Sequence, residues 1–102
     1  MGRQAAEVYT SPEDIAVLER WVVELAVNAR VRIATRRRTI IEGVVAATPT
    51  VQMFYDRDGN EGVNGMVKLE DAGRPDWSGE VWLGDIADVE HLDSVVTGVS
   101  KA

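Results

Sequence analysis

The stretch Arg30 to Arg38, "RVRIATRRR", holds five of the eleven Lys and Arg residues of a chain whose formal net charge is −6. Guanidinium groups at that density suit contacts with phosphate, because each presents a planar fork of donors to an anion. Arg30, Arg32, Arg36, Arg37 and Arg38 are therefore the candidate RNA-binding residues. The same side chains also suit a solvated β-hairpin whose arginines pair with carboxylates on neighbouring elements and whose charge discourages edge aggregation. No aromatic residue is interleaved with them to stack on a base, which favours the acid-paired hairpin over the RNA contact.

Other residues with reactive side chains form no such concentration. His91 is the only histidine; no set of partners around it has the spacing of a triad, and it reads as a packed or hydrogen-bonded strand residue. Adjacent carboxylates such as Glu70 and Asp71 point to opposite faces of a strand and make poor acid–base pairs. Asp56 to Glu61, "DRDGNE", begins like a calcium loop, but Glu61 and Val67 stand where that loop needs its glycine and its bidentate glutamate, so the stretch reads as a hairpin turn. "GNEGVNG" lacks the lysine and the helix of a phosphate loop. Without cysteine the chain has no thiol nucleophile, no zinc thiolate site and no disulfide. No catalytic residue, metal site or cofactor is legible, and the expectation is a non-enzymatic protein. Trp77, in the polar run "RPDWSG", is the candidate exposed interaction residue, whereas Trp21 and Trp82 sit in apolar patterns and read as core or subunit contacts.

Length and composition set the frame for these residues. A chain of 102 residues with 45% hydrophobic and 27% charged side chains is one globular domain's worth. It has no apolar run of membrane-spanning length, and its start lacks the pattern of a secretory signal, so a cytoplasmic location with no membrane partner is expected. No small-molecule substrate is indicated. Charge is segregated: residues 1–29 carry two arginines against five acids, residues 30–38 are purely basic, and residues 39–102 carry four basic residues against twelve acids. A dedicated nucleic-acid binder is usually basic overall, so this chain offers a local patch only.

The elements that position these residues follow from capping and periodicity. Ser11 suits a helix N-cap, Pro12 the first helical position, and Glu13 and Asp14 the positive end of the dipole. Ile15, Leu18, Val22, Leu25 and Ala29 then repeat at helical spacing, which predicts a helix over 11–29 with one buried face. From Arg30 the period becomes two. Val31 and Ile33 face one way, Arg32 and Arg36 the other, and after a turn near Arg37 a β-rich run continues from Thr39 to Ala47. Pro49 interrupts this run, "TVQMFYD" resumes it, "DRDGNEGVNG" turns, and "MVKLED" alternates again. "AGRPDWSG" reads as a second loop, and Gly84-Asp85 breaks a strand around Glu80 to Leu83 from one around Ala87 to Leu92. The prediction is a mainly β fold with an N-terminal α-helix: a small, bent, five-stranded antiparallel barrel over 30–93 in a single domain spanning 11–93. A flexible tail over 1–10 and a C-terminal tail over 94–102 flank it.

This order of elements resembles the Sm and Sm-like proteins, a branch of the SH3-like barrel class. "VRIATRRRTIIEGVV" resembles their first two strands, with Gly43 at the bend of the second; "GMVKLED" resembles the third, and "VWLGDIADVEHL" the last pair. The whole chain also resembles a small uncharacterised bacterial family with a variant Sm-like fold. The resemblance implies self-association, since such domains usually pair the fourth strand of one subunit with the fifth of the next, and a homo-oligomer is expected. In RNA-binding members two loop motifs hold bases at a ring pore. Asn64-Gly65-Met66 stands near the first, in reversed order and without its aspartate. Leu83-Gly84 stands at the second, with leucine where those proteins carry arginine. Leu83 has no guanidinium to offer, so RNA, if bound, falls to the lateral arginines.

Overall fold

Ser11 opens the one helix as its spacing predicts: its Oγ accepts the N–H of Asp14 at 3.2 Å and its carbonyl accepts the N–H of Ile15 at 3.0 Å. The structure, a computed structural model, describes residues 3–71 and 73–92. The expected C-terminal tail over 94–102, like Asp93, lies outside the described residues. The elements run β1 (Arg3–Gln4), α1 (Pro12–Glu24), β2 (Arg30–Thr35), β3 (Ile40–Val45), β4 (Gln52–Tyr55), β5 (Glu61–Asn64), β6 (Met66–Asp71) and β7 (Arg74–Trp82), a 3-10 turn at Leu83–Asp85, and β8 (Ile86–His91). Among the described residues, no helix is long and apolar enough to cross a membrane.

Helix α1 ends at Glu24, short of the expected end at Ala29. Leu25 leaves the helical region (φ −106°, ψ 56°) and becomes fully buried, and Asn28 adopts φ 70°. The Asn28 N–H donates to the Val45 carbonyl and the Ala29 carbonyl accepts from Val45, both at 2.9 Å. Backbone groups held by a strand are lost to a helical ladder, so the sheet claims this segment.

Strands β7-β6-β3-β2-β8, in that order, make an antiparallel five-stranded sheet. Val31 and Ile33 are buried and Arg32 points outward, as the alternation predicts. Leu18, Trp21 and Leu25 of the helix segment pack in one core with Val31, Ile33, Val45, Val67, Leu69, Val81, Leu83 and Ile86. The expected closed barrel is not what the ladders form. β7 and β8 remain the outer strands of the five-stranded sheet, and β1-β4-β5 make a separate sheet of three. The cause lies in the middle hairpin, where β3 and β6 pair only through Val44–Glu70 and Val45–Leu69. Beyond that, buried Pro49 offers no N–H, and Gly65 passes so close to the Thr50 carbonyl that a Cβ there would lie 2.5 Å from it. The two strands turn away together and continue as β4 and β5.

Three segments expected to be loops or tail are extended instead. Residues 3–4 pair in parallel with β4, Ala5 is buried, and Tyr9 exchanges two 2.9 Å backbone hydrogen bonds with Val63. The segment expected as a flexible tail is thereby tied to an otherwise open edge of β4. "DRDGNEGVNG" turns only as far as Asn60, after which Glu61–Asn64 is β5. "RPDWSG" belongs to β7, whose first residues pair with the end of β6 across a register shift at Glu70/Asp71. Polar composition marks these stretches as turns, but an edge strand with one solvated face is equally polar.

Candidate functional site

The structure divides the five arginines. Arg32, in the middle of β2, stands across from Glu42 on β3 and Glu90 on β8. Its Nε donates to the Glu42 carboxylate at 2.9 Å and its Nη1 to that of Glu90 at 2.8 Å. The hydrogen bond and charge of Glu42, with Glu90 adding to them, raise the Arg32 pKa further. This is the acid-paired hairpin anticipated from the charge balance. Arg30 begins β2 and lines a cleft of about 240 Å³ with Glu42, Glu70 and Asp71.

Arg36, Arg37 and Arg38 share the exposed turn between β2 and β3. The Arg36 N–H donates to the Asp85 carbonyl at 2.8 Å, and the Arg37 guanidinium lies 3.7 Å from the Asp85 carboxylate while remaining largely exposed. Arg38 holds φ 67°. The turn has a twin in the same molecule. At Thr35–Thr39 the first N–H donates to the last carbonyl and the fourth N–H to the first carbonyl, and Asp56–Asn60 repeats both bonds. In the twin, the left-handed position is filled by Gly59 at φ 84°. A three-residue hairpin loop calls for glycine there, and in the arginine turn a bulky side chain stands in that place.

Trp77 is half-buried, in β7 rather than a loop. Its ring lies over the glycines of β3 and β7, 3.4 Å from where a Cβ on Gly43 would sit and 3.1 Å from one on Gly79, and Arg74 stacks on it at 5.0 Å. It covers the bend of β3 instead of standing free. His91 in β8 places Nε2 3.0 Å from the Glu24 carboxylate, joining the end of the sheet to the end of α1. The Asp56 carboxylate accepts the N–H groups of Asp58 and Asn60 and the Asn60 side-chain amide at 2.8–3.0 Å, so it closes the turn. No cluster of three His, Cys, Asp or Glu with metal-ligating geometry exists among the described residues.

The two loop positions that resemble the Sm motifs meet. Asn64 is 1% exposed, and its Oδ1 accepts the N–H of Gly65 at 2.8 Å and that of Gly84 at 3.1 Å. Its Nδ2 donates to the Glu7 carbonyl at 2.9 Å, and the Leu83 N–H donates to the Gly65 carbonyl at 2.8 Å. Three chain segments thus converge on one amide. Above them the Tyr9 ring lies directly on Gly84, in the space a Cβ would take, with its hydroxyl 3.4 Å from the Gly84 carbonyl and from the Glu7 carboxylate. Burial and the Glu7 charge push the Tyr9 phenol upward. Sequence reasoning placed Asn64 in a turn and Tyr9 in a tail. Only the Asn-Gly pair signalled a special backbone position, and nothing local signalled a partner near residue 84.

A capping helix, a β2–β3 hairpin bent at Gly43, and loops 64–66 and 83–84 in contact define a variant of the Sm-like fold. A crystal structure of XC5848 from Xanthomonas campestris, described as adopting a novel variant of Sm-like motif, is similar to it with 34% sequence identity and a TM-score of 0.84; the match covers 90% of this chain and 99% of that one. Residues 2–92 match the family described as "Domain of unknown function (DUF3247)", and the chain belongs to that family. No curated protein matches it.

Proposed function

We propose that this domain is a non-enzymatic interaction module that self-associates through the edges of its five-stranded sheet. The observation that carries the reading is the pair of outer strands, β7 and β8, neither of which has a second strand partner among the described residues. An unpartnered edge presents a row of N–H and C=O groups that another strand satisfies. Joining β7 of one copy to β8 of the next would also complete the closed barrel that one copy lacks. Both edges are acidic on their exposed positions, Asp76 and Glu80 on β7, Asp88 and Glu90 on β8. Self-association should therefore strengthen as salt screens the like charges.

Light scattering and sedimentation across micromolar concentrations test this. The Ala46 N–H donates to the Lys68 carbonyl, so the Lys68 backbone faces β3 and its cross-strand partner Glu80 turns its own N–H outward. Glu80→Pro removes an edge donor while leaving the β6 ladder intact. Oligomers present in the wild type and lost in this folded variant support the reading; a strict monomer at every salt concentration refutes it.

A second reading, RNA binding through the arginine turn, is favoured by Arg38. A residue held in the left-handed region where glycine would be relaxed is a cost that function can account for. Short single-stranded RNA should bind at low salt, weaken steeply as salt rises, and be lost in Arg36→Ala/Arg37→Ala/Arg38→Ala. Its salt response is opposite to that of edge pairing, so one titration separates the two.

A further inference from the structure

We propose that the cleft between β4, β6 and the bend at Ala47–Thr50 binds a small phosphate monoester or inorganic phosphate. The cleft measures about 210 Å³ and is lined by Arg3, Lys68, Thr50, Gln52 and Phe54 among others, with no carboxylate. In a chain with 17 Asp and Glu residues against 11 Lys and Arg, an acid-free lining that carries two cations is a departure from the prevailing surface. Neither Arg3 nor Lys68 belongs to an ion pair among the described residues. The Arg3 guanidinium stacks on the Phe54 ring at 5.2 Å, a contact that positions the group and leaves its edge N–H donors available.

Gln52 supplies the third element. One end of its amide meets the Thr50 hydroxyl at 2.6 Å, and the other end is buried without a partner. A separation of 2.6 Å is that of an O–H···O bond and is short for N–H···O. Amide nitrogen and oxygen exchange places without altering the shape of the side chain. The distance therefore assigns the oxygen to the Thr50 hydroxyl, which donates to it, and the orphan is the amide NH₂. A buried donor without an acceptor, beside two cations, is completed by an anionic oxygen.

Size and charge narrow the ligand. Sites for drug-sized molecules run from roughly 300 Å³ upward, so this cleft suits a phosphate with at most a few carbons attached. Two cations and a neutral donor match a monoester, which carries about −1.5 to −2 charges at neutral pH, better than the single charge of a diester. The cleft includes Gly65 and Met66 but no residue of Leu83–Asp85 and none of the arginine turn. It is independent of the edge pairing proposed above.

The test is an amide-detected NMR titration of the full chain with inorganic phosphate and with glycerol 3-phosphate, at ionic strength held constant with chloride. Saturable shifts at Thr48, Thr50, Gln52 and Lys68 are expected, with Kd on the order of 1 mM. Lys68→Gln and Gln52→Leu should each weaken binding roughly tenfold, while Arg57→Gln, outside the cleft, leaves it unchanged. Dimethyl phosphate should bind more weakly than either monoanion-to-dianion probe. The proposal is overturned by shifts that do not saturate or that centre on Arg36 to Arg38. Wild-type affinity in both cleft variants, or dimethyl phosphate binding as tightly as glycerol 3-phosphate, overturns it equally.

Discussion

Asn64→Leu should be among the most damaging single changes in this chain although it swaps a polar residue for an apolar one of similar size in a buried position. The wild-type amide satisfies two buried backbone donors, the N–H groups of Gly65 and Gly84, and donates to the partly buried Glu7 carbonyl. A leucine there excludes the water that could replace the amide, and each stranded buried donor costs about 1–3 kcal/mol, so the gross loss is roughly 2–6 kcal/mol. The buried leucine returns roughly 1.5–3 kcal/mol as apolar surface leaves water. The Glu7 carbonyl reaches solvent more easily and adds little. A net loss of about 2 kcal/mol is expected, out of a total stability of about 5–15 kcal/mol for a small domain. Urea unfolding should show a lower midpoint with an unchanged slope, and Tm should fall by roughly 8–16 °C. Asn64→Asp separates the two halves of the junction. It keeps the acceptor for Gly65 and Gly84 but sets a carboxylate against the Glu7 carbonyl, so hydrogen exchange should rise at Ala5 and Tyr9 before it rises in β6. A midpoint for Asn64→Leu within about 0.5 kcal/mol of wild type, the range of ordinary surface changes, would refute the assignment of Asn64 as the joint between these segments.

Arg38→Gly should stabilise the protein by about 1 kcal/mol, because it places in the first hairpin what Gly59 already supplies in the second. If the arginine turn binds RNA, the same change should weaken binding; denaturation and anisotropy on one variant report both. Gly65→Ala should cost far more than Gly84→Ala, since a Cβ on Gly65 meets the Thr50 backbone carbonyl at 2.5 Å while one on Gly84 meets the movable ring end of Tyr9. Thermal unfolding ranks the two, and an inverted order would contradict the packing. Asp56 is held below the ordinary aspartate range, first by the Asn60 side-chain hydrogen bond and then by backbone N–H groups. Its carboxylate ionises more readily folded than unfolded, so its contribution is complete above the ordinary aspartate range and is lost as pH falls through the lowered value. The stability gap between wild type and Asp56→Asn should accordingly close on acidification.

Legibility followed the range of the interactions involved. Ser11, Pro12 and the apolar spacing of Leu18, Trp21 and Leu25 act within a few residues, and they marked the helix start and its buried face. The alternation of Val31, Arg32 and Ile33 likewise told inside from outside in β2. The end of the helix did not follow from local pattern, because Val45, far along the chain, takes the backbone of Asn28 and Ala29. Open sheets rather than a barrel are also a long-range outcome, decided by how little of β3 meets β6. Of the candidate site residues, the acid-paired role of Arg32 was foreseeable from charge balance, since the excess of carboxylates made Glu42 and Glu90 its natural neighbours. The half-buried place of Trp77 was not, because a polar edge strand and a loop share one composition.

The junction at Asn64 shows how a fold can keep its loop positions and change their use. In proteins that hold a base between two such loops, the loops leave polar groups and an arginine facing outward. Here the asparagine amide is spent on the Gly65 and Gly84 backbones and on the Glu7 carbonyl, and Leu83 is fully buried in the core. The Tyr9 ring occupies the face of Gly84. Every donor that loop 64–66 could turn toward a ligand through Asn64 is already satisfied within the chain. A base bound at that place would have to displace both Tyr9 and the Glu7 hydrogen bond, and it would meet no guanidinium in return. Shape alone carries no activity. The functional chemistry of this chain is therefore to be sought where groups remain uncommitted: at the strand edges, at Arg38, and around the orphan amide of Gln52.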